Sequence, residues 1–262
     1  MIERAALPRS KVPPWVHIVR KELHVYARTY YTEVTYVILF PTLLVLSLRW
    51  GIGEGKVTVA GMEYLRFIAP GVLLLAAVTT AFFNVGFIMI FEKEYSGAFQ
   101  GILTCPVTVT DVVLGKVVSG ATKATINGLA VTLLLAVVVG FPLQATTLLV
   151  IPLLFVTSLL FSAGGLAMGV VLRKGYQLGS IGNLVILPAT FAGGMFFDYH
   201  TQLPSSLIPI VALSPVTMAI DGLRSTMIGG SGDIVLQMVG ITIAFLLMFL
   251  LARWTYDATL LR

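Results

Sequence analysis

Long apolar runs alternate with short polar hinges along this chain, and the runs have the length of a bilayer crossing. A spanning helix needs about 20 mostly apolar residues, because each residue rises about 1.5 Å across a hydrocarbon core of about 30 Å. Six windows meet that requirement: residues 34–50, 67–91, 112–140, 147–172, 178–197 and 234–254. They are continuously apolar, whereas a transmembrane β-barrel would alternate over about 10 residues at a time. The pattern predicts an all-α polytopic membrane protein. It forms a single domain over 1–262, with a tail and interfacial helix at 1–31 and a six-span region at 32–262.

The polar stretches carry their own patterns. In residues 13–31, Trp15, Val19, Leu23, Tyr26 and Tyr30 recur at helical spacing, with His17, Arg20, Lys21, His24 and Arg28 opposite. An aromatic face beside a basic one predicts an amphipathic helix in the headgroup plane. Between spans two and three, residues 92–106 form a hinge longer than a turn requires, able to make a short helix stopped by Pro106. Thr108 and Asp111 then fit a capped start to the third span. Gly164, Gly165 and Gly169 allow close helix packing, and Pro188 predicts a kink in the fifth span. Residues 198–233 are apolar yet broken by Pro204, Pro209 and Pro215, and lie between two spans that end on one side. They are expected to form two short re-entrant helices, which irregular backbone permits only against protein or a cavity.

Composition narrows the class. Hydrophobic residues make up 57% and charged residues 11%, with a mean hydropathy of +0.95; soluble domains carry about 25% charge. The net charge of +5 follows membrane orientation. Arg4, Arg9, Lys11, Arg20, Lys21, Arg28, Lys93, Lys116, Arg173, Lys174, Arg253 and Arg262 fall on one side, and Arg49, Lys56, Arg66 and Arg224 on the other. The positive-inside rule therefore puts both termini in the cytoplasm. No basic patch stands outside the membrane flanks, so nucleic acid is not an expected partner. One cysteine, Cys105, and three scattered histidines make neither a disulfide nor a metal centre.

Candidate chemistry is sparse. Gly55-Lys56 and Gly115-Lys116 lack the other residues of a phosphate-binding loop. Gly229-Gly230-Ser231-Gly232 matches the short string of rhomboid-like serine proteases, but His200 precedes the serine where that family places its histidine later. Ion-coupled transport would draw on intramembrane charge. Lys123, with Lys116, Ser119 and Asn127, makes a polar stripe on the third span, and no carboxylate within a confident span pairs with it. Lys123 and Asn127 are thus candidates either for packing or for a substrate path.

The run from Glu92 through Pro106 to Leu114-Gly115-Lys116 resembles a pattern of the ABC-2 type permeases, the membrane subunits of ATP-driven exporters. Tyr64-Leu65-Arg66-Phe67-Ile68-Ala69-Pro70-Gly71 resembles that family's start of the second span. Residues 213–224, with Pro215, Asp221 and Arg224, resemble its segment before the last span. The resemblance runs in order over nearly the whole chain, and its proportions are closer to the drug-resistance and Nod-factor branch than to the O-antigen branch.

The resemblance implies a non-catalytic permease that forms a homodimer in the cytoplasmic membrane and moves an amphiphilic, lipid-linked or polysaccharide substrate. It binds no cofactor itself; ATP and Mg belong to separate ABC ATPase subunits. Glu92, Glu94, Gly97, Phe99, Leu103 and Pro106 would form the hinge that meets the ATPase. Trp15, Val19, Leu23 and Tyr26 would gate the inner entrance, and Pro215, Asp221 and Arg224 the outer one. The alternatives are an ion-gradient-driven carrier or channel and, further off, an intramembrane serine protease.

Overall fold

The structure, a computed structural model, describes residues 12–52, 57–59, 61–96, 107–140, 145–229 and 233–260. Six of its helices are long and apolar enough to cross a membrane. They are α1 (Pro14–Ile52), α2 (Tyr64–Glu94), α3 (Val109–Val139), α4 (Val150–Val171, entered through a 3-10 turn at Ala145–Leu149), α5 (Gly175–Thr190, continued as a span by a π-turn to Met195) and α9 (Ile234–Leu260). Three shorter helices, α6 (Tyr199–Gln202), α7 (Ile208–Ala212) and α8 (Pro215–Ile228), fill the connection between α5 and α9. A two-residue antiparallel hairpin, Thr58–Val59 with Met62–Glu63, joins α1 to α2. The chain is a multi-pass, all-α membrane protein.

Local chemistry sets the helix ends. Thr108 accepts from the Asp111 backbone N–H while the Asp111 carboxylate accepts from the Thr108 N–H, the expected capping box. Gly140 ends α3 in the left-handed region at φ 71°, where a Cβ would be strained. Arg49 donates to the Val138 carbonyl at 2.8 Å, so a cation meets the negative end of that helix. At the opposite end Lys93 does the same for α4, donating to the carbonyls of Val170 and Leu172.

The core is built around α2, in which Phe67 through Val78 are all buried. It packs on α4 backbone to backbone: a Cβ on Gly165 would stand 2.1 Å from the Phe82 carbonyl oxygen, and one on Gly169 2.6 Å from that of Gly86. Small residues are the way helices approach closely in lipid, where burial supplies little drive. Both ends of the described chain lie at one end of the bundle, as an even number of crossings requires. Lys21 of α1 and Tyr256 of α9 both reach the region where α2 ends and α3 begins.

Three expectations change. The amphipathic segment and the first span are one helix, because nothing between Tyr31 and Val34 is a breaker. Its basic face is exposed as expected, but its aromatic face packs on α3: Tyr26 is buried, and Gly115 lies against Ile18. From Ile18 to Arg49, α1 climbs about 46 Å, whereas Gly115 and Val138, their α3 partners, lie about 35 Å apart along the axis. The long Arg49 side chain, reaching back to the Val138 carbonyl, spans part of that difference. Second, α2 continues through Glu94, so Glu92 belongs to a span and is buried instead of facing a partner. Glu94 is exposed and pairs with Lys93 at 3.4 Å. Gly97, Phe99, Leu103, Pro106 and Cys105 lie outside the described residues. Third, Pro188 sits in the last turn of α5, and the irregularity follows it as a π-turn at Phe191–Met195, with Gly194 at φ 88°. Of the re-entrant helices, α8 is the substantial one and buries Val216, Ile220 and Leu223.

Candidate functional site

A groove of about 730 Å³ opens on one flank of the bundle between the middle portions of α1, α2 and α5. That volume lies in the range of small-molecule sites, about 300–1,000 Å³. Its walls are mostly apolar and aromatic, including Phe40, Phe83 and Phe87. Glu33, Tyr36, Thr79, Thr80, Asn84 and Asn183 supply a polar strip. The Thr79 and Thr80 hydroxyls donate back to the carbonyls of Leu75 and Ala76, at 2.7 and 2.8 Å. Only their acceptor capacity faces the groove.

Behind the groove runs a buried polar seam where α1 and α2 meet α3. Lys123 donates to Glu22 at 3.2 Å and to the Asn84 side-chain oxygen at 3.3 Å. One turn further along, the Tyr26 hydroxyl donates to Asn127 at 2.6 Å. One rung below, Lys116 pairs with Glu92, which also meets Lys21 at 3.6 Å. Lys116, Ser119, Lys123 and Asn127 are all buried, as their helical spacing implies. Lys123 therefore has a carboxylate partner, contrary to the reading of the spans alone. Lys123 and Asn127 do not line the groove; they hold α1 against α3. Of the gate-helix residues, Tyr26 is part of this seam and Trp15, Val19 and Leu23 are half-buried beside it.

At the far end a second polar cluster joins four elements. The Tyr199 hydroxyl donates to Asp221 at 2.6 Å, and Asp221 pairs with Arg224 at 3.3 Å. Arg224 also donates to the Gly194 carbonyl at 2.9 Å and stacks over the Phe67 ring at 4.0 Å. Burial raises the Asp221 carboxyl above its ordinary value, against the opposing Tyr199 hydrogen bond and Arg224 charge. Pro215 begins α8 at its first turn, where its missing N–H is no loss. The expected outer-gate residues thus clasp the π-turn, α2 and α8. Ser231 lies outside the described residues.

Glu22, Asn84, Asn183 and Tyr199 were not singled out from the sequence. A signal existed for Glu22, which falls between Val19 and Tyr26 on the apolar face of its helix, three and four residues away. An acid there implies a buried partner. No comparable signal marks Asn84 or Asn183, whose facing depends on how α2 and α5 pack.

Among the described residues no cluster of histidine, cysteine, aspartate and glutamate could hold a metal ion. Comparison with known proteins places the architecture. Residues 15–228 match the family model described as ABC-2 type transporter. The chain is 25% identical over 235 residues to the inner membrane transport permease YadH of Escherichia coli (strain K12), covering 90% of this chain and 91% of that protein. It is 26% identical over 260 residues to nodulation protein J of Rhizobium meliloti (strain 1021), covering 98% and 96%. It is 29% identical over 195 residues to nodulation protein J of Bradyrhizobium diazoefficiens, covering 74% and 73%.

Proposed function

Because the chain belongs to the ABC-2 type transporter family, we propose that it is the membrane subunit of an ATP-driven exporter that moves an amphiphilic, lipid-linked or polysaccharide substrate out of the cytoplasm. The observation that supports this reading is the flank groove. An apolar channel wall with a polar strip at mid-span suits a molecule with both a lipophilic and a polar part. Two copies and two ABC ATPase subunits make up the working assembly, and ATP and Mg reside on the ATPases. The end where α2 gives way to α3 is the cytoplasmic one, by the distribution of lysine and arginine, and the 95–108 connection meets the ATPase there. The buried charges are mutually paired in the seam, an arrangement that favours a fixed scaffold over a proton relay.

The test is reconstitution of the permease with its cognate ATPase in sealed vesicles. ATP should drive accumulation of a fluorescent lipid-linked oligosaccharide in inside-out vesicles, and a proton or sodium gradient without ATP should not. Gradient-driven uptake by the permease alone would establish the carrier alternative.

A further inference from the structure

Glu33 is a carboxylate at membrane depth, set apart from the buried ion pairs of the seam. It lines the groove in the middle of α1, where the opposing α2 wall runs from Leu75 to Phe87, midway along that helix. Among the described residues no ion pair holds it; the hydroxyl of Thr29, one turn back, lies beside it. The Lys123 charge acts on Glu33 through space, but its amine is hydrogen-bonded to Glu22 and Asn84 and it is not part of the groove wall. An ionisable group inside a span is expensive unless something compensates it, and that expense is the usual mark of a functional position.

The rest of the wall is built for a positive charge. Tyr36 is 80% exposed and Phe40 56%, both into open space beside the groove. Phe83 and Phe87 stack at 5.8 Å between ring centroids, and both line the groove. Aromatic faces attract cations, most strongly where water is scarce. An anion entering the same space would meet the Glu33 carboxylate in a medium that screens it poorly.

We propose that the groove binds the cationic group of an amphiphile, with Glu33 as its counter-charge and the aromatic walls holding its apolar body. This rests on the exporter reading and names the substrate class at that site. Asn84 and Asn183 would hydrogen-bond polar substituents next to the charge.

The experiment uses the full chain in nanodiscs of zwitterionic lipid, with empty discs subtracted, and two ions of matched shape, tetraphenylphosphonium and tetraphenylborate. Saturable binding of the cation and none of the anion is expected. Glu33→Gln should weaken cation binding about tenfold, and Glu33→Asp should retain much of it. Tyr36→Ala, at an exposed position that folding does not need, should weaken it a few-fold. Equal binding of the two ions overturns the proposal, as does cation binding unchanged in Glu33→Gln.

The outcomes separate this from the exporter reading. If the cation binds through Glu33 but ATP and the ATPase move no amphiphile in vesicles, the site stands and the exporter reading falls. If ATP drives lipid-linked oligosaccharide export while cation binding ignores Glu33, only the site falls.

Discussion

Glu22 and Glu33 sit on one helix, about 16 Å apart along its axis, in opposite surroundings. Glu22 is buried against α3 with Lys123 at 3.2 Å, and the rungs on either side of it are also matched, Tyr26 with Asn127 and Glu92 with Lys116. Glu33 faces an open groove and forms no ion pair among the described residues. A charge in a poorly screening medium must be compensated by a partner that comes either from the fold or from outside it. Where the fold supplies it, the pair fixes one helix on another; where it does not, the position is open to a ligand. The local pattern hints at a buried partner for Glu22, and only packing shows that Glu33 has a groove in place of one.

The largest expected effect breaks the matched side. Lys123→Met leaves Glu22 buried without its cation, and removing one member of a buried pair costs about 3–5 kcal/mol. The purified variant should aggregate in non-ionic detergent at a temperature where the parent stays monodisperse by size-exclusion chromatography. Glu22→Gln combined with Lys123→Met should recover most of the loss, because no charge is then left unpaired. A single variant as stable as the parent would mean that the seam does not hold α1.

At the far end the same rule applies with one difference. Asp221 has both Tyr199 and Arg224, so Arg224→Met leaves it one hydrogen bond. A loss of about 2–3 kcal/mol is expected in the same heating assay. Arg224→Lys should recover little, since an ammonium cannot reach the Gly194 carbonyl, pair with Asp221 and stack on Phe67 at once. Full recovery by lysine would show that charge alone matters there. Smaller again is Tyr26→Phe, which removes one neutral hydrogen bond from the seam. It should cost about 1–2 kcal/mol and leave the charged rungs intact.

Most of the architecture was legible because lipid imposes one rule on every span: enough continuous apolar residues to cross. The six windows, the capping box at Thr108 and Asp111, and the close packing at Gly165 and Gly169 all follow from local pattern. The boundary near residue 31 was misplaced because a change in composition was taken for a change in structure, and no glycine or proline marks a break there. Lys123 lacked a partner in the sequence for the same reason: Glu22 lay in a segment counted outside the spans. The groove was not legible at all. It depends on which faces of α1, α2 and α5 meet, and Asn84, Asn183 and Glu33 reach one wall from three helices with no shared spacing.

The smallest expected effect tests the open side. Glu33→Gln keeps the shape of the side chain and its capacity to hydrogen-bond, and it breaks no ion pair among the described residues. It also removes a charge from a half-apolar setting, which is unfavourable to keep there. These contributions are small and opposed, so stability should change by no more than about 0.5 kcal/mol in either direction. Glu22→Gln is the control on the same helix: it leaves the Lys123 ammonium with Asn84 alone and should lower the heating midpoint clearly. Both variants lose one negative charge from α1, so any general effect of net charge is common to them. A large loss at Glu33, equal to that at Glu22, would make Glu33 a second structural charge with a partner of its own, and the groove would then have no free counter-charge to offer a ligand.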